Sequence, residues 1–549
     1  MQTTRLSLSA TLALAFALTA CGSDNGAMNM PAPAAPPAPA PVAEAGDTVV
    51  LTSSNKLVTF NLASAATIKT AVAVSGLQSG ESLIGIDYRP ADGMLYGVGS
   101  TGRIYTVNPA TGALTFKAAM LADAADASAP YAMLAGASFG VDFNPVADRL
   151  RVVSNTGQSL RINVDTGATT TDGDINGGPA GTMLGAAAYT NAFAGTGATT
   201  LYVIDAASGA LFIQSPPNNG TLGAPVSLGV TASASGGFDI DARNNKGYAV
   251  LTVGGARNLY AIDLAASTNA ATLVTALAVT EDVTGIAVRT PAAPMVYGLT
   301  DGARIVGFKP ATPGTLATDV ALSGLNAGEK LLGFDVRPKD GTLYGITSAA
   351  RIVTIDPVTG VATAKSTLAA DAADLTAPYA AIAGTQFAVD FNPVADRLRV
   401  ISDSGQSLRI NVDSGATTTD GAINRSGATP VVSAAAYANS FAGTTSTMLF
   451  DVDTSSDSLA LQNPPNDGTL TNVGALGVDV SGDVGIDIAG GANGLVLAAL
   501  RTSAAGPSLI YRVDLATGAA TPINGAATPA TSAVGNGSIG LSDLAIVLK

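Results

Sequence analysis

The chain has 549 residues, 47% of them hydrophobic and only 12% charged, with a formal net charge of −14. Clustered Lys and Arg, which nucleic-acid binding needs to replace counterions, are missing, and an anionic membrane surface would repel this chain for the same reason. Histidine is absent and Cys21 is the one cysteine, which excludes Ser-His-Asp and Cys-His nucleophiles, His-ligated zinc and imidazole proton transfer. Carboxylate, Tyr, Lys and metal–water chemistry remain.

The N-terminus has the form of an export signal. Arg5 gives a positive start, Leu6 to Ala20 are mostly apolar, and Leu18-Thr19-Ala20-Cys21 closes the segment. That closing order resembles the lipobox of bacterial lipoproteins, which implies a signal peptide over 1–20, cleavage before Cys21 and lipid on that residue. Gly22 and Ser23, with no Asp directly after the anchor, favour the outer membrane on the same resemblance. An ordinary secretory signal with an incidental Cys is the alternative. Residues 21–47 include PAPAAPPAPAP and almost no large apolar side chain, so they are expected to form an extended, disordered tether. Beyond the N-terminus, no uninterrupted apolar run of about 18 residues is present to make a spanning helix. The mean hydropathy of +0.35 reflects abundant Ala and Val.

From residue 48 onward the chain repeats itself. Val141 to Asn176 and Val389 to Asn424 differ at five of 36 positions, at an offset of 248 residues that holds from Leu51/Leu299 to Pro216/Pro464. Within each copy a smaller theme recurs at a spacing of about 50 residues, the size of a four-stranded propeller blade. Gly85-Ile86-Asp87-Tyr88, Gly140-Val141-Asp142-Phe143 and Gly237-Phe238-Asp239-Ile240 each open such a unit, and Ala187-Ala188-Tyr189 opens another. The runs that follow, such as Ile104 to Val107, are short, β-branched or aromatic and bounded by turn residues, which marks them as strands.

A fifth blade is divided between the ends of each copy. Val49 to Leu62 supplies two strands without an opener, and Thr284 to Val288 supplies a lone opener. Joining them would remove exposed sheet edges, and Val296 to Lys309 with Leu544 to Leu548 repeats the arrangement. The expected fold is all-β: two tandem five-bladed β-propellers over 48–289 and 295–549, joined at Arg289 to Pro294. A single ten-bladed ring is the alternative.

The pattern GVDFNP…DRLRVVS..GQSLRINVDTG at 140–167, with its partner from Val389 to Gly415, resembles a bacterial family known as domain of unknown function 4394. The resemblance spans nearly all of 49–549 as two copies. It implies an exported all-β protein and carries over no catalytic residue.

Three constellations are candidates for a site. Asp87, Asp142, Asp239, Asp335, Asp390 and Asp487 occupy one place in six opening strands, which border the channel, and could ring its mouth and hold Ca²⁺. They could equally accept backbone N–H groups from a turn or an adjoining blade. Such a ring would be incomplete, because Ala188 and Ala287 take that place in other strands.

Arg149, Arg151 and Arg161, repeated as Arg397, Arg399 and Arg409, suit a carboxylate or phosphate ligand, or ion pairs with Asp142, Asp148 or Asp165 between blades. Asp172 to Gly177 begins like a calcium loop, but Met183 stands where a bidentate Glu is needed, so a turn is expected. The longest interruption, 118–136, carries Tyr131 (Tyr379 in the second copy) and is either a recognition loop for a glycan or peptide or a short helix over a blade edge.

These features lead to a non-catalytic binding or interaction module displayed at the cell envelope, with no resident cofactor and an envelope glycan, peptide or protein as partner. A Ca²⁺-dependent, lactonase-like hydrolase and a structural envelope protein are the alternatives.

Overall fold

The computed structural model describes residues 44–291, 293–300, 303–491, 494–525 and 531–548. The signal segment, Cys21 and most of the tether therefore lie outside the described residues. What is described is all-β, with strands and short 3-10 turns, and no helix in it is long and apolar enough to cross a membrane.

The strands form ten sheets, five in each copy. In the first ring the opening strands are Leu83–Tyr88, Phe139–Asn144, Ala186–Tyr189, Ala234–Asp241 and Val283–Val288. Each packs beside the next, and the last returns to the first, so the circle closes. The divided blade forms as expected. Val283–Val288 pairs antiparallel with Thr48–Thr52, with Val50 opposite Ile286. In the second ring Asp543–Val547 pairs with Met295–Thr300, with Gly298 opposite Leu544. Because each copy closes on its own opener, the fold is two five-bladed rings and the ten-bladed alternative is excluded.

Burial explains why the blades were visible in sequence. Inner and middle strands lie between neighbouring sheets and are apolar on both faces; all five residues of Leu95–Gly99 are buried. Outer strands see water on one face, and Leu316–Ala321 alternates between half-buried and exposed. The Gly that precedes the repeated Asp has a steric cause. A Cβ on Gly140 would sit 2.6 Å from the Ala187 nitrogen, and one on Gly85 would sit 2.4 Å from Val141 Cγ2. At these two positions a glycine lets neighbouring opening strands approach closely at the axis, whereas Ala186 and Ala388 fill the same place in other openers.

Three details depart from the sequence reading or refine it. The chain docks before residue 48: Gly46 donates to Thr59 Oγ1 at 3.1 Å, and the Asp47 carbonyl accepts from Arg289 N–H at 2.7 Å. Residues 123–138 form turns and loop, not a helix, and the preceding Leu121–Ala122 adds a parallel fifth strand to its blade. The rings also touch. The loop after Tyr189 enters the second ring, where Phe193 is fully buried, Gly197 N–H donates to Gly494 O at 2.7 Å and Arg512 donates to Gly195 O at 2.6 Å.

Candidate functional site: carboxylate clusters and the cleft between rings

The six repeated aspartates converge, three per ring. Asp87, Asp142 and Asp239 bring one oxygen each within 4.8 Å of the others, as do Asp335, Asp390 and Asp487, and all six are buried. Their oxygens hold backbone N–H groups. Asp87 accepts from Tyr88 at 2.7 Å and, across the blade boundary, from Phe143 at 2.7 Å. Asp142 accepts from Tyr189 at 2.9 Å in the next blade. Asp239 accepts from Ile240 at 2.6 Å and from Val288 at 2.5 Å. The second ring repeats this with Asp335, Asp390 and Asp487 on Val336, Phe391, Tyr437, Ile488 and Ile546.

Five of the six carboxylate oxygens in each triad thus already accept an N–H. Three convergent oxygens are also fewer than the six to eight that Ca²⁺ takes. The donor set fits a cation only in part, and its evident work is to stitch blades together at the axis. Burial raises every one of these carboxyls, Asp239 and Asp487 to about 7. In Asp87 and Asp142 the neighbouring carboxylates add to the burial and hold them well above the usual range, with Asp335 and Asp390 alike.

The second ring adds a carboxylate that the sequence reading missed. Asp543 faces Leu299 where Gly285 faces Leu51 in the first ring, and it accepts from Phe334 N–H and Leu544 N–H, both at 2.9 Å. The signal was there, one residue upstream of the apolar closing strand.

The arginines come together only in part. Arg151 is buried to 1% exposure and donates to Asp172 at 2.5 Å, Ser159 at 2.9 Å and Asn218 at 2.8 Å. Arg161 shares Asp172 at 2.7 Å, whereas Arg149 bonds only the Ala147 and Asp148 carbonyls. Arg399, Arg409 and Asp420 repeat the shared contact, and Arg397 repeats the separate one. Asp172, first of the calcium-loop resemblance, is the partner. Asp148 and Asp165 instead hold Arg89, at 2.5 and 2.8 Å, and Arg337 holds Asp396 and Asp413 alike. Tyr131 and Tyr379 are half-buried against the cores of their blades, away from both clusters.

A cleft of about 470 Å³ opens between the rings. The first ring contributes Asp47, Asp241, Arg243, Asn244 and Tyr248; the second contributes Phe441, Pro338 and, as floor, Asp335 and Asp487 of its channel. Phe441 is the counterpart of Phe193 at the 248-residue offset, so one loop plugs the contact while its copy borders the cleft. Both phenyl rings reach one turn of the second ring, where a Cβ on Gly491 would meet Phe441 Cε1 at 3.2 Å. Asp241-Ala242-Arg243 in the first ring is matched by Ala489-Gly490-Gly491 in the second, and a Cβ on Gly490 would meet the Phe193 ring at 3.1 Å.

The model of the domain of unknown function DUF4394 matches residues 56–287 and again 304–534. The chain belongs to this family. No curated protein matches it. Among solved structures it is similar to virginiamycin B lyase from Staphylococcus aureus, at 12% identity over 66% of this chain and 91% of that one, with a TM-score of 0.23. A streptogramin B lyase gives 11% identity, 66% and 90% coverage and a TM-score of 0.23. The designed protein Ika8 gives 12%, 73% and 98%, with a TM-score of 0.20. Likenesses at these scores carry nothing about activity to this chain.

Proposed function

We propose that this DUF4394 protein is a non-catalytic binding module, held at the outer membrane of a bacterial envelope by lipid on Cys21, with the inter-ring cleft as its ligand seat. One observation carries the reading: a concave space of about 470 Å³ is lined by polar and aromatic side chains from both rings, within the size range of small-molecule sites. The lack of histidine and of any thiol beyond Cys21 supports binding over covalent or proton-transfer chemistry. An acidic surface leaves nucleic acid aside as a partner.

Equilibrium dialysis of the full chain against a fractionated envelope extract, with mass spectrometry of what is retained, tests the seat. Ala442→Trp places an indole at the cleft wall and is expected to abolish retention; equal retention by the variant assigns the seat elsewhere. Palmitate labelling that disappears in Cys21→Ala tests the anchor.

A second reading, a Ca²⁺-dependent hydrolase, draws on the convergence of three carboxylates in each triad. Titration calorimetry with Ca²⁺ and melting with EDTA decide it: no heat and no change in melting removes this reading.

A further inference from the structure

We infer that the cleft takes a compact organic cation, an amine or guanidinium compound with a short apolar body. The inference rests on the reading of the cleft as a ligand seat and names the ligand class that its walls select.

The charge balance of the lining comes first. Four aspartates line the space, Asp47, Asp241, Asp335 and Asp487, against a single cationic side chain, Arg243. Both oxygens of Asp335 and of Asp487 are taken up by backbone N–H groups, which leaves Asp47 and Asp241 as the charged pair to balance. Arg243 is already committed: its Nε and one terminal nitrogen donate to the two oxygens of Asp241 at 2.8 and 2.9 Å. A phosphate or carboxylate ligand would therefore meet a cation whose charge Asp241 already balances, with the Asp47 carboxylate beside it.

Asp47 is the group that a cation would find. Its Oδ1 accepts from Leu62 N–H at 2.8 Å and from Thr48 Oγ1 at 3.0 Å, which fixes the carboxylate in place. Its Oδ2 has no hydrogen-bond partner among the described residues, and the half-buried Asp47 is one of the residues that line the cleft. A charge-assisted N–H···O bond is the strongest contact that such an acceptor can make.

The rest of the lining suits the remainder of such a ligand. Tyr248 and Phe441, one from each ring, supply the aromatic faces that attract an ammonium or guanidinium group. Leu62, Pro338, Ile546 and Leu548 offer apolar surface for a short alkyl chain. Because the aromatic pair comes from both rings, neither ring alone would hold the ligand.

Titration calorimetry on the full chain, with agmatine and cadaverine as cationic probes and glucose and sulfate as comparators, tests the inference. At least one amine is expected to bind, with affinity reduced about tenfold by Asp47→Asn and lowered again by Phe441→Leu, while both variants keep the parent melting temperature. Glucose or sulfate binding that Ala442→Trp abolishes, with no amine binding, keeps the cleft as seat and overturns the amine. Amine binding that survives Ala442→Trp overturns both readings. Silence from all four probes overturns the inference.

Discussion

Asp87 Oδ2 accepts the N–H of Phe143 at 2.7 Å, from one opening strand to the next. The same bond recurs from Asp335 to Phe391 at 2.8 Å. Each carboxylate takes a strand N–H that has no ladder partner on the channel side, so one side chain closes the hydrogen-bond account of two blades. Asp335→Ala is therefore expected to destabilise the second ring by about 2–3 kcal/mol, since it leaves buried donors unpaired. Chemical denaturation followed by tyrosine fluorescence measures the loss; a change below about 0.5 kcal/mol would place the bond among neutral surface contacts.

These carboxyls also set a pH dependence. In the unfolded chain each titrates near 3.9, whereas burial raises Asp239 and Asp487 to about 7 in the fold. Between those values the folded state holds more protons than the unfolded state, so stability falls as pH rises. Thermal melts are expected to show maximal stability near pH 4–5 and a loss on the order of 5 °C by pH 8. A flat profile over that range, without added metal ions, would contradict the raised carboxyls of the triads.

The arginine cluster separates into residues that hold the fold and residues that do not. Arg151→Ala removes a buried guanidinium from Asp172, Ser159 and Asn218 and is expected to cost about 3–5 kcal/mol. Arg149→Ala loses only two bonds to local carbonyls and should change stability by less than about 0.5 kcal/mol. Paired urea titrations of the two variants check the contrast, and equal effects would refute it.

Ring closure was legible because a lone opener at Ile286 and an opener-less pair at Val50 are both sequence signals. So was the recurrence of the opening-strand Asp, at six positions, which binds backbone N–H groups at the axis. The partners of the arginines were not. Strand alternation says which face Arg151 occupies, but Asp172 reaches it from a loop 21 residues on, and Arg89 reaches Asp148 across 59 residues. Nor was the contact between rings legible. It depends on Gly490 lacking a Cβ where Ala242 has one, a single-atom difference that periodicity does not register. The cleft was hidden too, since its lining comes from both rings and no period of the sequence says how two rings meet.

That contact can be tested by its asymmetry. Phe193 is fully buried at the junction, and Phe193→Ala is expected to cost about 3–5 kcal/mol and to separate the melting of the rings into two transitions by calorimetry. Phe441→Ala, at the half-buried equivalent position, should leave one transition. Identical behaviour of the two variants would show that the rings are not docked through this loop.

One buried group sits in the second ring without a counterpart. Asp451 occupies the place that Val203 holds in the first ring, is fully buried, and neither of its oxygens has a hydrogen-bond partner among the described residues. Burial pushes its carboxyl up to about 8, with Arg399 and Arg425 drawing it back. An acid whose folded value lies above its unfolded one costs stability progressively from about pH 4 to about pH 8. Asp451→Val, restoring the residue of the first copy, is thus expected to stabilise the protein by about 1–3 kcal/mol at pH 8 and by less at pH 5, where the carboxyl is neutral in the fold. Melts of both chains at the two pH values give the answer. A variant less stable than its parent at pH 8 would mean that Arg399 and Arg425 depend on this carboxylate as their counter-charge.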